Sequence, residues 1–140
     1  MSEFRFKKFS VRNDLSAMKV NTDGVLLGAA VPLGALPGRI LDVGTGTGCI
    51  ALIVAQRLAD TGAEGFEIVG IDIDEPSARE AAANFAASPW AANLSAVHCP
   101  LRDFGGRGCW DLIVSNPPYY ASDLQAPEFR RNAARHAGVP

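Results

Sequence analysis

A short apolar strand that runs directly into a glycine-rich loop constrains the fold of this chain more than any other feature of its sequence. RILDV occupies residues 39–43, GTGTG follows at once at 44–48, and apolar residues then recur at helical spacing: Ile50, Ile53, Val54 and Leu58. Residues three or four positions apart share one face of a helix, so this spacing predicts a helix over about 48–60. A strand, a tight turn and a helix in this order are typical of a parallel sheet.

The alternation of strand and helix continues along the chain. EIVGID at 67–72 is typical of a second buried strand, and a helix is expected to start near Pro76, with an apolar stripe of Ala78, Ala81, Ala82 and Phe85. LSAVHC at 94–99 and WDLIVS at 110–115 predict a third and a fourth strand. The pattern predicts an α/β, Rossmann-like fold, a parallel sheet with helices on both faces, in which ligands bind beyond the carboxyl ends of the strands.

The two ends of the chain carry weaker patterns. Aromatic residues near the N-terminus are spaced like one face of a short strand: Phe4, Phe6 and Phe9. Thr22 or Asp23 is a candidate cap for a helix that stops near Pro32. A further helix is expected around Phe129–Ala137.

The glycine loop gives the first indication of a ligand, because glycine lets the backbone approach a bound molecule closely. A dinucleotide fingerprint needs a glycine where this loop has Cys49, and a phosphate-binding P-loop needs a lysine that is absent here. Asp42, two residues before the first glycine, would repel a pyrophosphate and attract a cation. S-adenosylmethionine carries a sulfonium and an ammonium group and no phosphate. We therefore predict that it binds at Asp42 and along the loop residues Gly44, Thr45, Gly46 and Gly48.

Acidic residues follow the second and the third strand. Asp72 ends the second strand, where a carboxylate can accept hydrogen bonds from ribose hydroxyls. Asp74, just before the predicted helix at Pro76, is a candidate helix cap instead. Asp103 follows the third strand and is a candidate acceptor for the amino group of an adenine, with Phe104 lining the ring. An ordinary turn residue is the alternative for Asp103.

The fourth strand ends in the most informative stretch of the chain, Asn116-Pro117-Pro118-Tyr119-Tyr120. Two prolines fix φ and remove two backbone donors, so they can aim the carbonyl of Pro117 in one direction. That carbonyl and the amide oxygen of Asn116 can hold both hydrogens of an exocyclic –NH2 group and direct its lone pair outward. Tyr119 can lie against a planar base. The predicted chemistry is methyl transfer to an amine nitrogen, with most of the rate supplied by positioning, and the predicted catalytic residues are Asn116, Pro117, Pro118 and Tyr119.

Together these residues resemble the class I S-adenosylmethionine-dependent methyltransferases that modify planar amino groups. LDVGTGTGCIAL, VGIDID and IVSNPPYY match the cofactor and substrate motifs of that superfamily in order. The opening FRFKKFSVRNDLSAMKVNTDGVLLGAA and the later NFAASPW are similar to the tRNA (adenine-N6) methyltransferases that act beside the anticodon of a valine tRNA, with Asn21 where that family usually has Gly. The resemblance implies S-adenosylmethionine as cofactor, tRNA as substrate and N6-methyladenosine as product. It also implies that Thr22 and Asp23 lie near the methionine end of the cofactor.

Other functions remain open at this stage. The superfamily motifs are shared with the release-factor glutamine N5-methyltransferases, and a cofactor-binding protein without turnover would carry the same loop. The charge distribution fits tRNA, because residues 1–20 carry five basic side chains against two acidic ones, whereas residues 21–120 carry five against eleven. Candidates for phosphate contact lie near both ends: Arg5, Lys7, Lys8, Arg12, Arg130, Arg131 and Arg135.

The remaining features argue against metal and membrane functions. Three cysteines without a CxxC pair and two distant histidines predict free thiols and no metal site. The uncharged, largely apolar stretch Gly24–Gly38 is too short to cross a bilayer and contains two prolines. We therefore expect a cytoplasmic, monomeric protein.

The chain length of 140 residues is short for the resembled family. The predicted strands amount to about four of the family's usual seven, so we expect the N-terminal portion of the domain. Residues 1–38 would flank the site, and residues 39–140 would form an incomplete methyltransferase domain. One side of the fourth strand would then lack a partner. We expect the isolated chain to be poorly stable and inactive.

Overall fold

The computed structural model describes residues 3–16, 19–33, 38–104, 110–117 and 128–131, with Phe4 and the last range described through their backbone alone. A small antiparallel hairpin opens the chain, with β1 at Glu3–Arg5 and β2 at Ser10–Arg12. Phe6 and Phe9 lie between these strands, where their rings stack with centroids 4.7 Å apart. The expectation that they share one strand face is therefore wrong, because the chain reverses direction between them.

In the part of the chain that the structure describes, the main sheet has five strands. Four of them run parallel: β3 at Arg39–Val43, β4 at Glu67–Asp72, β5 at Leu94–His98 and β6 at Leu112–Ser115. The spatial order is β5–β4–β3–β6–β7, in which β7 is the antiparallel edge strand Glu128–Arg131. The register pairs Val43 with Ile71 on one side and with Ser115 on the other. The carboxyl ends of β3, β4 and β6 therefore meet at one edge, and the predicted parallel α/β sheet is confirmed.

The edge strand β7 corrects two expectations. The sequence predicts a helix around Phe129–Ala137, yet residues 128–131 are extended, while residues 132–137 lie outside the described part of the chain. β7 pairs with β6, with Phe129 opposite Val114, so the side of β6 that was expected to be free has a partner. Pairing with a buried strand decides the backbone conformation here, and such a long-range contact leaves no mark in local residue spacing.

Three α-helices appear in the predicted order within the described residues: α1 at Thr22–Ala30, α2 at Cys49–Asp60 and α3 at Glu75–Ala86. The cap of α1 is Asn21, whose side-chain oxygen accepts a hydrogen bond from the N–H of Gly24 at 2.9 Å. Thr22 and Asp23, the predicted caps, are instead the first residues of the helix. The cap needs an extended backbone and an oxygen three residues before a free N–H, and Asn21 meets both conditions.

The start of α3 is fixed by a side-chain cap, and its orientation is fixed by a buried apolar face. Asp74 is its cap, as predicted, and accepts hydrogen bonds from the N–H and the hydroxyl of Ser77 at 3.1 and 2.6 Å. Ala78, Ala81 and Phe85 of the predicted stripe are buried, whereas Ala82 is exposed. The spacing of apolar residues includes Ala82 wrongly, because alanines lie on several sides of this helix and spacing alone does not show which of them are buried.

The described helices share one apolar cluster with a single face of the sheet. Ile40, Ile68 and Leu112 belong to that cluster and alternate along their strands with residues of the opposite face. The opposite face carries a smaller cluster of Leu41, Val69, Ile71 and Trp110. None of the described helices combines the length and the apolar composition needed to cross a membrane.

Replacing Gly48 should destabilise the fold strongly. Its φ is +86°, and a Cβ there would lie 2.6 Å from Cε1 of Phe85. We expect Gly48→Ala to lower the free energy of unfolding by about 2–5 kcal/mol, the sum of left-handed backbone strain and overpacking against α3. Urea unfolding monitored by circular dichroism measures the change.

The matched control is Gly62→Ala. Gly62 has a φ of +87° and open space around the position of a Cβ. We expect only the strain, about 1–2 kcal/mol. Equal losses for the two variants would show that contact with Phe85 contributes nothing.

Candidate functional site

An open pocket lies at the edge of the sheet where β3 and β6 end. Three parts of the chain form its walls: the glycine loop after β3, the segment before and at the start of α1, and the residue that follows β6. Its lining residues are Gly44, Thr45, Gly46, Thr47, Cys49 and Ile50 from the first, Lys19, Val20, Asn21 and Gly24 from the second, and Asn116 from the third. The structure thus brings the glycine loop and the asparagine of NPPYY, two motifs predicted separately, to one pocket.

The backbone N–H groups of the glycine loop are largely used within the protein. Those of Gly44 and Thr45 both donate to the carbonyl of Ile71 at 2.9 Å. The N–H of Gly46 donates to Oδ2 of Asp72 at 2.8 Å. Two more donors of the loop are paired with loop oxygens, those of Gly48 and Cys49. A phosphate site at a helix N-terminus needs such N–H groups to point at the ligand, so this loop is poorly suited to a dinucleotide.

Thr45 is held from two sides. Its hydroxyl donates to Oδ2 of Asp42 at 2.9 Å, and it packs against Gly70 of β4, where a Cβ would come within 2.5 Å of Thr45 Oγ1. Any side chain at position 70 would push Thr45 out of the pocket wall. Gly70 is thus a site residue that the sequence analysis missed. A glycine inside the apolar strand EIVGID was the available signal, since such a glycine often marks close approach of another backbone or side chain.

Asp42 lies behind the loop and is not among the residues that line the pocket. It is fully buried, and its Oδ1 has no hydrogen-bond partner among the described residues. Burial raises the pKa of Asp42 to about 7, the negative charge of Asp72 acts in the same direction, and the hydrogen bond from Thr45 opposes them. Contact between Asp42 and a cationic cofactor stays a prediction, and within the described structure Thr45 is its link to the pocket.

Asp72 ends β4 beside the loop. Its Oδ2 accepts from the N–H of Gly46 at 2.8 Å and its Oδ1 from the N–H of Asp74 at 2.9 Å. A carboxylate oxygen has more than one acceptor site, so both oxygens can still accept from hydroxyl groups. The ribose role of Asp72 stays a prediction that this geometry permits.

Asp103 ends a short 3-10 turn, Leu101–Asp103, and its side chain is exposed. It is not among the residues that line the pocket. Phe104 stacks on Trp110 with ring centroids 5.8 Å apart, so at least one face of its ring is covered by protein. The adenine role of Asp103 stays a prediction.

Asn116 is the described residue of NPPYY that reaches the pocket. It is 4% exposed, and its Nδ2 lies 3.2 Å from the position that a Cβ on Gly24 would take. The start of α1 therefore packs directly against the predicted catalytic amide. Pro117 is described but does not line the pocket, and Pro118 and Tyr119 lie outside the described residues. Thr22 and Asp23 likewise are not lining residues, whereas their neighbour Asn21 is.

The sequence analysis also missed three polar residues around the pocket. Lys19 is the cationic residue among those that line it, and its ammonium donates to the carbonyl of Asn13. Glu80 and Asn84 of α3 are each 3% exposed and bind the backbone of the N-terminal segment. The signal was present, since both residues fall in phase with the buried alanines of α3, where a solvated surface would not place them.

Exposed basic residues surround the hairpin. Lys8 pairs with Asp60 at 2.8 Å, and Arg12 lies 3.8 Å from Asp14. Surface pairs of this kind contribute little to stability, so these cations remain exchangeable for phosphates. The side chains of Arg130 and Arg131 and the whole of Arg135 lie outside the described part of the chain. Within that part, no group of three or more histidine, cysteine or acidic residues is arranged to hold a metal ion.

Comparison with known proteins places the chain in a family. The family described as "Methyltransferase domain" matches residues 40–137 of the 140. The chain belongs to this methyltransferase-domain family. Among solved structures, P. horikoshii TYW2 in complex with MeSAdo is similar with a TM-score of 0.62, at 18% sequence identity over 79% of this chain and 40% of that one. At that identity the likeness establishes the fold alone.

Two curated relatives narrow the comparison. The chain is 48% identical over 134 residues to the tRNA1(Val) (adenine(37)-N6)-methyltransferase of Flavobacterium johnsoniae, covering 94% of this chain and 55% of that protein. It is 43% identical over 136 residues to the enzyme of the same name from Bacteroides fragilis, covering 95% and 54%. The chain spans about half the length of the curated relatives it matches. These relatives bear out the resemblance drawn from the sequence motifs.

The raised pKa of Asp42 should make stability fall as pH rises. In the unfolded chain Asp42 ionises near its ordinary pKa of 3.8, while in the fold it holds its proton up to about 7. Its contribution to stability is therefore complete below about pH 4 and is lost between pH 4 and 7, at up to about 1.4 kcal/mol per pH unit. Urea unfolding at a series of pH values, compared between the wild type and Asp42→Asn, isolates this slope. Parallel curves for the two proteins would contradict the assignment.

Proposed function

We propose that the protein transfers a methyl group from S-adenosylmethionine to the exocyclic N6 of an adenine in tRNA, next to the anticodon. The observation that carries the proposal is the meeting of the glycine loop and Asn116 in one pocket. The likeness to a tRNA1(Val) (adenine(37)-N6)-methyltransferase supports the choice of substrate. In this proposal residues 39–140 carry the methyltransferase domain, residues 1–38 flank its site, and the protein acts as a cytoplasmic monomer.

The residues of the pocket suit the methionine end of S-adenosylmethionine. Lys19 supplies a cation for its carboxylate. The buried carboxyl of Asp42, with Oδ1 unpaired among the described residues, lies behind Thr45 and favours a positive charge in front of it. Loop amides that are already paired are no disadvantage for a cofactor that has no phosphate. Asp72, with acceptor capacity to spare, lies next to the loop for the ribose hydroxyls.

The chain's own contribution to the reaction is to orient the amine. When bound, S-adenosylmethionine supplies a methyl group on a sulfonium centre that is open to in-line attack. The amide oxygen of Asn116 and the carbonyl of Pro117 accept the two hydrogens of the adenine amino group. Pro118 fixes the backbone, and Tyr119 lies against the base. The amine needs no strong base before the attack, because its proton becomes acidic only as the N–C bond forms, so rate depends on positioning.

Basic residues of the hairpin are proposed to meet tRNA phosphates. Arg5 and Lys7 are exposed, and the ion pairs of Lys8 and Arg12 are at the surface. Arg130, Arg131 and Arg135 would extend this contact. Binding would then weaken steeply with salt, in proportion to the number of phosphates neutralised. The target adenine lies in a loop, where unstacking a base costs less than it does in a duplex.

Transfer of labelled methyl groups to unmodified tRNA tests the function. The protein that carries this chain, incubated with labelled S-adenosylmethionine and tRNA from cells lacking the activity, should yield N6-methyladenosine on nucleoside mapping. A release factor offered in parallel should stay unlabelled. Label on a release-factor glutamine with none on tRNA would replace the proposed substrate class, and cofactor binding with neither label would indicate a non-catalytic protein.

Removing the Asn116 amide should reduce methyl transfer while leaving cofactor affinity almost unchanged. We expect Asn116→Ala to reduce methyl transfer by about 100-fold or more, because the amine loses its orienting acceptor. Affinity for S-adenosylmethionine, measured by isothermal titration calorimetry, should change by less than about threefold, since the loop and the segment before α1 form most of the pocket. Equal losses of transfer and of cofactor affinity would contradict the role given to Asn116.

A further inference from the structure

Two buried polar side chains of α3 bind the N-terminal segment, a name used for the described residues 12–16 and 19–24. Glu80 and Asn84 are four positions apart, on the same side of the helix, and each is 3% exposed. Neither belongs to the sequence motifs of the cofactor loop or of NPPYY. Buried polar groups of this kind are costly unless every hydrogen-bonding atom is satisfied.

Asn84 bonds to the N-terminal segment and to the glycine loop at once. Its Oδ1 accepts from the N–H of Arg12 at 2.9 Å, and its Nδ2 donates to the carbonyl of Arg12 at 3.0 Å. The same Nδ2 donates to the carbonyl of Thr47, in the glycine loop, at 2.8 Å. A single amide group thus joins the N-terminal segment to the loop that lines the pocket. The position needs a donor and an acceptor on one planar group, which an aspartate or a leucine of the same shape does not supply.

The carboxylate of Glu80 accepts hydrogen bonds from the next residues of the segment. Its Oε2 accepts from the N–H groups of Asp14 and Leu15 at 2.7 and 2.9 Å. Its Oε1 accepts from the N–H and the hydroxyl of Ser16 at 3.0 and 2.8 Å. Four donors converge on one carboxylate, which is an arrangement that stabilises a buried anion. Consecutive backbone groups can reach it only if residues 14–16 wrap around the end of the side chain.

Further hydrogen bonds connect the stretch that Glu80 and Asn84 hold to the pocket wall. The ammonium of Lys19 donates to the carbonyl of Asn13, so the start of the wall is tied to the stretch that Glu80 and Asn84 hold. Asn21 donates from Nδ2 to the carbonyl of Lys19 at 3.0 Å and accepts from the N–H of Gly24 at 2.9 Å. Gly24 in turn packs against Asn116. A continuous series of polar contacts thus runs from α3 to the wall of the pocket.

Apolar burial explains little of where residues 12–16 lie. Val11 is fully buried before it, and Leu27 of α1 is buried after it. Between them, the buried residues that the structure describes are polar or glycine, namely Asn13, Ser16 and Gly24. The single large apolar side chain of residues 12–16, Leu15, is 48% exposed. Polar contacts to α3 therefore decide the path of residues 12–16, whereas Val20, nearer the pocket, is partly buried against the main apolar cluster.

We propose that Asn84 and Glu80 are positioning residues for the cofactor: they fix residues 12–16 and, through the hydrogen bond from Lys19 to Asn13, the pocket-lining stretch 19–24. The proposal rests on the proposed function, since it concerns the pocket assigned to S-adenosylmethionine. Cofactor binding and closure of this wall are then linked, so that each stabilises the other.

Isosteric variants of the two residues test the proposal by calorimetry with S-adenosylhomocysteine, a stable analogue of the cofactor. Asn84→Asp places a carboxylate oxygen against the carbonyls of Arg12 and Thr47, and we expect affinity to fall at least tenfold. Glu80→Gln puts an NH2 group among N–H donors, and we expect a loss of at least threefold. Ser88→Ala is the control, because Ser88 follows the end of α3 and bonds only locally, donating to the carbonyl of Phe85 and accepting from the N–H of Trp90. The affinity of this variant should stay within twofold of wild type.

Two further conditions separate positioning from general destabilisation. All titrations are made at a temperature where circular dichroism shows each variant to be more than about 95% folded, so unfolding cannot lower the apparent affinity. In methyl-transfer kinetics of the protein that carries this chain, KM for S-adenosylmethionine should rise at least tenfold in Asn84→Asp while kcat stays within threefold. A wild type that does not bind S-adenosylhomocysteine contradicts the proposed function, whereas wild-type affinity in Asn84→Asp overturns this inference.

Hydrogen exchange on the wild type gives an answer even if the variants do not fold. The amides of Arg12, Leu15 and Ser16 report release of residues 12–16 from α3, because they donate to Asn84 and Glu80. If this release abolishes binding, a hundredfold excess of S-adenosylhomocysteine over its Kd should slow their exchange about 100-fold. The amide of Thr61, which bonds to Leu58 at the end of α2, should exchange at an unchanged rate. Equal rates with and without ligand at all three wall amides would overturn the proposal.

Discussion

The structure depends on the attachment of the glycine loop to the end of β4. The carbonyl of Ile71 accepts from two consecutive loop amides, and the carboxylate of Asp72 accepts from a third. These contacts turn the chain sharply out of β3 and aim α2 back across the sheet. They also consume the donors that a phosphate would need, so the same hydrogen bonds that shape the loop decide which class of ligand it suits. The requirement is met only because β3 and β4 are adjacent, parallel and in register.

A second constraint is the attachment of the N-terminal segment to α3, on the side of the pocket opposite the glycine loop. Residues 12–16 carry one large apolar side chain, Leu15, which is exposed, so polar contacts to Glu80 and Asn84 locate this stretch. Hydrogen bonds are directional, so such contacts specify one arrangement of the backbone more sharply than apolar packing does. This specificity matters at a pocket where Gly24 must lie beside Asn116. The apolar core stabilises the fold, whereas the buried polar contacts determine where the wall of the pocket lies.

Features that depend on neighbouring residues were predicted correctly, whereas features that depend on contacts between distant residues were not. The strands at 39–43 and 67–72 were predicted to the residue, because a run of apolar residues bounded by glycine or acidic residues has few other uses in an α/β chain. The cap of α3 at Asp74 was also predicted, since a cap needs only its own helix. The strand at Glu128–Arg131 was not, because its conformation comes from pairing with β6. Glu80 and Asn84 were overlooked because their partners lie 37 to 72 residues away.

The sequence by itself determined the fold class, the order of the elements, the glycine loop, the asparagine of NPPYY and the family to which these motifs belong. Each follows from a short pattern whose physical cause lies within a few residues. Only the tertiary structure decided that Asp42 is buried behind the loop with its pKa raised to about 7, that Asn21 and Lys19 line the pocket, and that α3 holds the N-terminal segment in place. Burial and hydrogen bonding between distant residues depend on which surfaces meet after folding, and no local pattern encodes that meeting.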